Sequence, residues 1–226
     1  MFLDVDDTIE KDLFEKLKPY MKQNIEMIKY KMKIINKETT QIKKMKKVDD
    51  SVIDKGQTFD VLNGEEAFNK LCFHDNFLDS PCLYLIKKEL FERINLKFEK
   101  NVYHEDFGLI PLLIINAKSV VSTNIYGYNY YQSENSIMRN NDYTKDIKKL
   151  NDKLFLYDNL NKKLKYMDLD KSTKQNILEY YTNSIIAGIR KLKRKDKKIY
   201  KNKIKEKGLL NNLRVRNLKQ LIKKFF

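Results

Sequence analysis

The rhythm of apolar and polar residues changes twice along the chain. Met1-Phe2-Leu3 is a short apolar run that stops at Asp4-Val5-Asp6-Asp7, the pattern of a buried strand running into an acidic turn. Asp12-Leu13-Phe14-Glu15 has capping-box spacing, and Leu13, Leu17 and Tyr20 share one face, which predicts a helix reaching Asn24. Ile25 to Ile35 mixes Ile, Met and Tyr with Lys, as a half-exposed strand does. Residues 37–56 are polar, Lys-rich and end in Gly56, which predicts a mobile loop or hairpin. Asn63-Gly64-Glu65-Glu66 reads as an N-cap with early acids, opening a helix through Cys72, and Lys87 to Arg93 reads as a short helix. Phe107 to Ala117 is the most apolar stretch and predicts a core helix; Val120 to Tyr131, rich in Val, Ile, Thr and Tyr, predicts a strand. From Asp142 onward Leu, Lys, Asn and Tyr recur at helical spacing without a strand signal. The expected order is mixed α/β first, then all helix.

Composition narrows the function classes. Two cysteines, Cys72 and Cys82, exclude a disulfide scaffold and a four-thiolate zinc site, and 6 Gly with 3 Pro exclude Pro-rich or linker-dominated architectures. The formal charge is +15, but its distribution is uneven: residues 187–226 carry 16 Lys/Arg against Asp196 and Glu206, while residues 1–186 carry 30 basic and 29 acidic side chains. The excess therefore belongs to the C-terminal segment. There Leu210, Leu213, Leu218, Leu221, Ile222 and Phe225 alternate at helical spacings with Arg214, Arg216, Lys219, Lys223 and Lys224. Two readings fit this pattern: a basic amphipathic helix lying on an anionic membrane surface, or a helix folded back on the body with a solvated Lys face. The first is the partner expected here, with no nucleic acid; binding of RNA or DNA by the tail stands as an alternative. The longest apolar run, Leu109 to Ile115, has seven residues and includes Pro111, well short of the roughly 20 a membrane-spanning helix needs. An acidic N-terminus unlike a signal peptide predicts a cytoplasmic protein, peripheral on the inner face of the membrane.

Two acidic groups are the candidates for chemistry. Asp4 and Asp6, two positions apart, can share a divalent cation, since Mg²⁺ or Mn²⁺ prefers oxygen ligands; acids before a helix also complement its dipole. Glu105-Asp106 follows Tyr103-His104 and precedes the apolar run, where a carboxylate serves either as a general base or as a helix cap. His104, His74 and the two cysteines have no metal-site spacing.

Taken together, these segments resemble bacterial family-2 glycosyltransferases. MFLDVDDTIEKDLFEKL looks like the family's apolar strand, D-x-D and following helix, and PCLYLIKKELF (Pro81 to Phe91) like its acceptor-side stretch. YHEDFGLIPLLIINAK (Tyr103 to Lys118) is similar to the family's ED motif and its helix, and IYGYNYYQSENSIMR (Ile125 to Arg139) to its closing Tyr-rich strand and turn. The four segments occur in the family's order over residues 1–140. Two departures are visible: Cys82 and Tyr84 stand where the family has Trp and Lys, and the family's nucleotide-binding half is absent before Met1.

The resemblance implies an α/β architecture, an incomplete GT-A (Rossmann-like) domain over residues 1–140, followed by a helical extension, 141–186, and the basic tail, 187–226. It implies inverting transfer of a sugar from a nucleotide-sugar, most simply a UDP-sugar, to a hydroxyl of a glycan or lipid-linked acceptor in surface-polysaccharide synthesis. Asp4 and Asp6 would then hold the donor and its Mg²⁺ or Mn²⁺, Asp106 would act as base with Glu105 supporting it, and Ser136 and Arg139 would approach the diphosphate. A chain starting at the D-x-D further implies a strand at Met1 to Leu3 that lacks neighbours, hence self-association or a partner chain there. A non-catalytic remnant, or half of a split enzyme, is the alternative within the same resemblance.

Overall fold

The computed structural model describes residues 1–36, 58–73, 77–132 and 142–214. They form two compact units, one from residues 1–98 and 109–140, the other from residues 99–108 and 141–226. The expected loop at 37–56 lies outside the described residues.

The first unit is built on a mixed five-stranded sheet. Its elements are β1 (Thr8–Ile9), α1 (Leu13–Lys22), β2 (Met27–Asn36), β3 (Phe59–Leu62), α2 (Gly64–Phe73), β4 (Tyr84–Ile86), α3 (Lys88–Arg93), α4 (Leu109–Asn116) and β5 (Val120–Gln132). β5 organises the sheet. It pairs parallel with β2 along most of its length and antiparallel with β3 near its start and with β1 at Tyr128 and Asn129. β4 adds antiparallel to the other side of β2. Parallel pairing of strands so far apart in sequence calls for covered faces, and the start of β2 is buried on both: Met27, Ile28, Lys29 and Tyr30 are all inaccessible. α4 contributes seven consecutive buried residues, Leu109 to Ile115. α2 meets it closely, because a Cβ on Gly64 would lie 2.1 Å from the carbonyl oxygen of Ile114. Asn63 caps α2 as its sequence predicts, accepting from the Glu66 amide at 3.0 Å.

Two local expectations are corrected. Met1 to Leu3 is not a strand: both edges of β5 are occupied by β2, β3 and β1, so no ladder remains for it there. Phe2 instead packs edge-on against Phe91 and Phe98, at 5.8 and 5.3 Å between ring centroids, while Met1 and Leu3 stay exposed. Asp12 precedes α1 but makes no side-chain cap; its carboxylate pairs with Lys16 at 2.8 Å, one turn into the helix.

The second unit is helical: α5 (Tyr143–Lys165), α6 (Lys171–Arg190), α7 (Arg194–Glu206) and a 3-10 turn at Leu209–Asn212. Asp142 caps α5 through the amides of Thr144 and Lys145. The core comes from Leu150, Leu154, Tyr157 and Leu160 of α5, with Ile177, Tyr181, Ile185 and Ile189 of α6. α7 adds Tyr200 and Ile204, and the segment after it adds Leu209 and Leu213. Residues 187–214 of the basic segment are thus built into this unit. Among the described residues no helix is long and apolar enough to cross a membrane.

Candidate functional site

The acidic turn Asp4–Asp7 is closed by the Asp7 amide donating to the Asp4 carbonyl at 3.2 Å. Its three carboxylates divide sharply. Asp4 and Asp6 are exposed, whereas Asp7 is buried at 6% accessibility. Asp7 accepts from the Tyr128 hydroxyl at 2.6 Å and from the Tyr131 amide at 2.8 Å, both on β5. The same Tyr128 oxygen accepts from the Asp4 amide at 3.3 Å. Behind it lies the buried Cys82 thiol, raised above its ordinary pKa by burial and hydrogen-bonded to Tyr128. Burial, reinforced by the Asp7 and Cys82 hydrogen bonds, likewise raises the Tyr128 phenol, so it stays neutral and keeps its proton for Asp7. A carboxylate held by two donors costs far less to bury than a bare one. The turn is therefore pinned from beneath at Asp7 and presents Asp4 and Asp6 above.

The acceptor-side stretch begins with a 3-10 turn at Pro81–Leu83, enters β4 and continues into α3. Cys82 and Tyr84, the two departures from the family pattern, are both buried. The Cys82 carbonyl accepts from the Tyr30 hydroxyl at 2.7 Å, and Tyr84 donates its hydroxyl to the Leu78 carbonyl at 3.4 Å. They act here as core residues of the sheet. Near them, Lys29 is buried at 1% accessibility; desolvation, with Lys31 adding repulsion, brings its amine down to about 7.

Glu105 and Asp106 belong to the second unit. They occupy a tight turn closed by the Phe107 amide on the His104 carbonyl at 2.9 Å. His104 and Gly108 flank it in the left-handed region, φ 59° and 82°. The turn is anchored at both ends. The Tyr103 amide donates to Asp152 at 2.8 Å, and the Gly108 amide donates to the Tyr181 hydroxyl at 3.0 Å, with the Phe107 and Tyr181 rings 4.2 Å apart. Glu105 is exposed and Asp106 half-buried. Burial, with Lys153 and Lys149 nearby, lowers His104 to about 4, so the ring is neutral at physiological pH.

Ser136 and Arg139 lie outside the described residues, as do His74, Arg216, Lys219, Lys223 and Lys224. Arg214, the one member of the expected membrane-binding set within them, pairs with Glu179 at 3.3 Å and also bonds Asn176. Among the described residues no group of three or more His, Cys, Asp or Glu side chains is arranged to hold a metal ion. The oxygen donors of Asp4 and Asp6 suit a hard divalent cation as a partial ligand set, which a diphosphate and water would complete. Sequence reasoning missed the anchors: Asp7 read as one more acid of the turn, and Tyr128 as one tyrosine among several. No local signal marked Tyr128: it shares strand parity with the exposed Tyr126, and only the register shift between the Lys31–Tyr126 and Met32–Tyr128 pairs separates their surroundings.

No protein-family model matches the chain, and no curated protein matches it.

Proposed function

We propose that this chain is the catalytic and acceptor-side part of a metal-dependent glycosyltransferase that moves a sugar from a nucleotide-sugar, most simply a UDP-sugar, to a hydroxyl acceptor. The observation that carries the reading is the division of labour in the acidic turn: Asp7 is consumed as a buried anchor, leaving Asp4 and Asp6 exposed together on a fixed backbone. The four-segment resemblance over residues 1–140 supports it, as does the α/β unit that carries the turn.

In this reading Asp6 would hold Mg²⁺ or Mn²⁺, and Asp4 would hold the donor's ribose or the shell of the ion. The bound ion would supply charge neutralisation for the departing diphosphate. Asp106 takes the proton of the attacking acceptor hydroxyl, and Glu105, beside it on the same turn, supports its orientation. Ser136 and Arg139 contribute polar contacts to the diphosphate.

Turnover of UDP-sugars with and without Mn²⁺ tests the reading. Metal-dependent release of UDP that disappears in both Asp6→Ala and Asp106→Asn supports it. Absence of nucleotide-sugar binding by calorimetry, with or without metal, assigns the chain instead to a non-catalytic remnant or to half of a split enzyme.

A further inference from the structure

The second unit carries a surface that the transferase reading does not use and on which the following inference does not depend. Three contacts show how α7 lies along α5. Tyr143 bonds Asp196, Tyr200 donates to Asn151 at 2.7 Å, and Lys207 pairs with Asp158. Both residue numbers rise together, so the two helices run parallel. Asn151, Phe155, Asp158 and Lys162 follow helical spacing on one side of α5. Phe155 therefore lies between the Asn151 and Asp158 contacts, level with Ile204.

Phe155 is 47% exposed, on the side of α5 opposite the buried Tyr157, Leu160 and Leu164. Tyr166, three turns further along the same side of α5, is 92% exposed. On α7, Ile199 is 52% exposed, one turn before Lys203 and on the flank opposite the buried Ile204. These three are all the large apolar side chains exposed among the described residues of this unit. They share one flank, together with the exposed Lys162 and Lys203. The acids on that side are Glu206, which is exposed, and Asp158, which is occupied by Lys207.

We propose that this α5/α7 flank docks on an anionic lipid bilayer, with Phe155, Ile199 and Tyr166 entering the interface and the surrounding lysines meeting the headgroups. Separated apolar side chains ringed by flexible ammonium groups match the layered chemistry of that interface, and an aromatic with a polar tip such as Tyr166 settles at its boundary. A nucleic acid fits less well. Phe155 and Tyr166 are about 16 Å apart along the helix, far beyond the spacing of stacked bases, and Ile199 offers no stacking face. The surface belongs to the folded helices and not to the segment carrying Arg216, Lys219, Lys223 and Lys224.

The full chain contains no tryptophan, so Phe155→Trp gives a single reporter on this flank. Mixed with phosphatidylcholine vesicles containing phosphatidylserine, its emission is expected to shift to the blue and to be quenched by brominated acyl chains. Co-sedimentation of the wild type is expected to need phosphatidylserine and to weaken with salt. Lys162→Glu with Lys203→Glu should lower the affinity about tenfold or more, while neutralising Arg216, Lys219, Lys223 and Lys224 should lower it less. Tyr166→Ser, at a site with no packing to lose, provides a second variant that folds if the charge reversal does not. The inference is overturned if the reporter stays unshifted on vesicles that sediment the protein, or if only the 216–224 variant loses binding. Equal retention on phosphatidylcholine alone, or tighter binding of an oligonucleotide that the charge reversal abolishes while vesicles are ignored, would overturn it too.

Discussion

The two acidic turns of this protein, Asp4–Asp7 and His104–Phe107, look alike in sequence and are held in different ways. In the first, the anchor is one of the turn's own acids: Asp7 is buried under Tyr128 and the Tyr131 amide. In the second, the anchors come from outside, with Asp152 of α5 taking the Tyr103 amide and Tyr181 of α6 taking the Gly108 amide. Each turn thus has a carboxylate and a tyrosine hydroxyl fixing its backbone, and in the first that carboxylate is one of the turn's own acids. A cluster of acids cannot be read as a set of equivalent ligands, because burial decides which carboxylate is structural and which faces solvent.

That contrast can be broken at several points. Asp7→Ala should have the largest effect, stranding the Tyr128 hydroxyl and the Tyr131 amide and costing about 3 kcal/mol in denaturant unfolding of the first unit. Tyr128→Phe removes one donor to Asp7 and one acceptor for the Asp4 amide, and about 2 kcal/mol is expected by the same measurement. In the second turn, Tyr181→Phe keeps the ring beside Phe107 and removes the acceptor for the Gly108 amide, so about 1 kcal/mol should be lost. If Tyr181→Phe proved as costly as Asp7→Ala, the distinction between internal and external anchors would collapse.

The smallest expected effect is a pH dependence. His104 has its folded pKa lowered to about 4, so on acidification the unfolded chain takes the proton first. Stability contributed by the neutral ring is full above its ordinary pKa of 6.5, declines as pH falls toward about 4, and is flat below. Because the ring is partly solvated, the loss should be at most about 1 kcal/mol between neutral pH and about 5. His104→Asn, a residue that tolerates φ 59°, should flatten that limb when unfolding is followed across pH.

Much of this was legible in the sequence, and what was not shares a physical cause. α4 could be read from seven successive apolar residues, α2 from the Asn63 cap, and α5 and α6 from their periodic Leu, Ile and Tyr positions, because these signals are local. β1, β3 and β4 are two to four residues long and exist only because β5 or β2 offers a ladder, which no window of sequence contains. Nothing local in the sequence sorts Asp4 and Asp6 from Asp7, because the partner that does so sits 121 positions away at Tyr128. In the basic segment, Tyr200, Ile204, Leu209 and Leu213 held the folding signal, masked by the lysines between them. A helix needs only a narrow apolar stripe to pack, and net charge hides such a stripe without removing it.

The central claim is that Asp7 anchors the first turn while Asp6 is left to bind the donor's metal. Calorimetric titration of UDP in the presence of Mn²⁺ into the wild type and Asp6→Ala, with unfolding of both followed in parallel, tests it most directly. The account expects Asp6→Ala to unfold within about 0.5 kcal/mol of the wild type and to lose metal-dependent UDP binding. A wild type that binds no Mn²⁺–UDP, or an Asp6→Ala that binds it equally well, would contradict it.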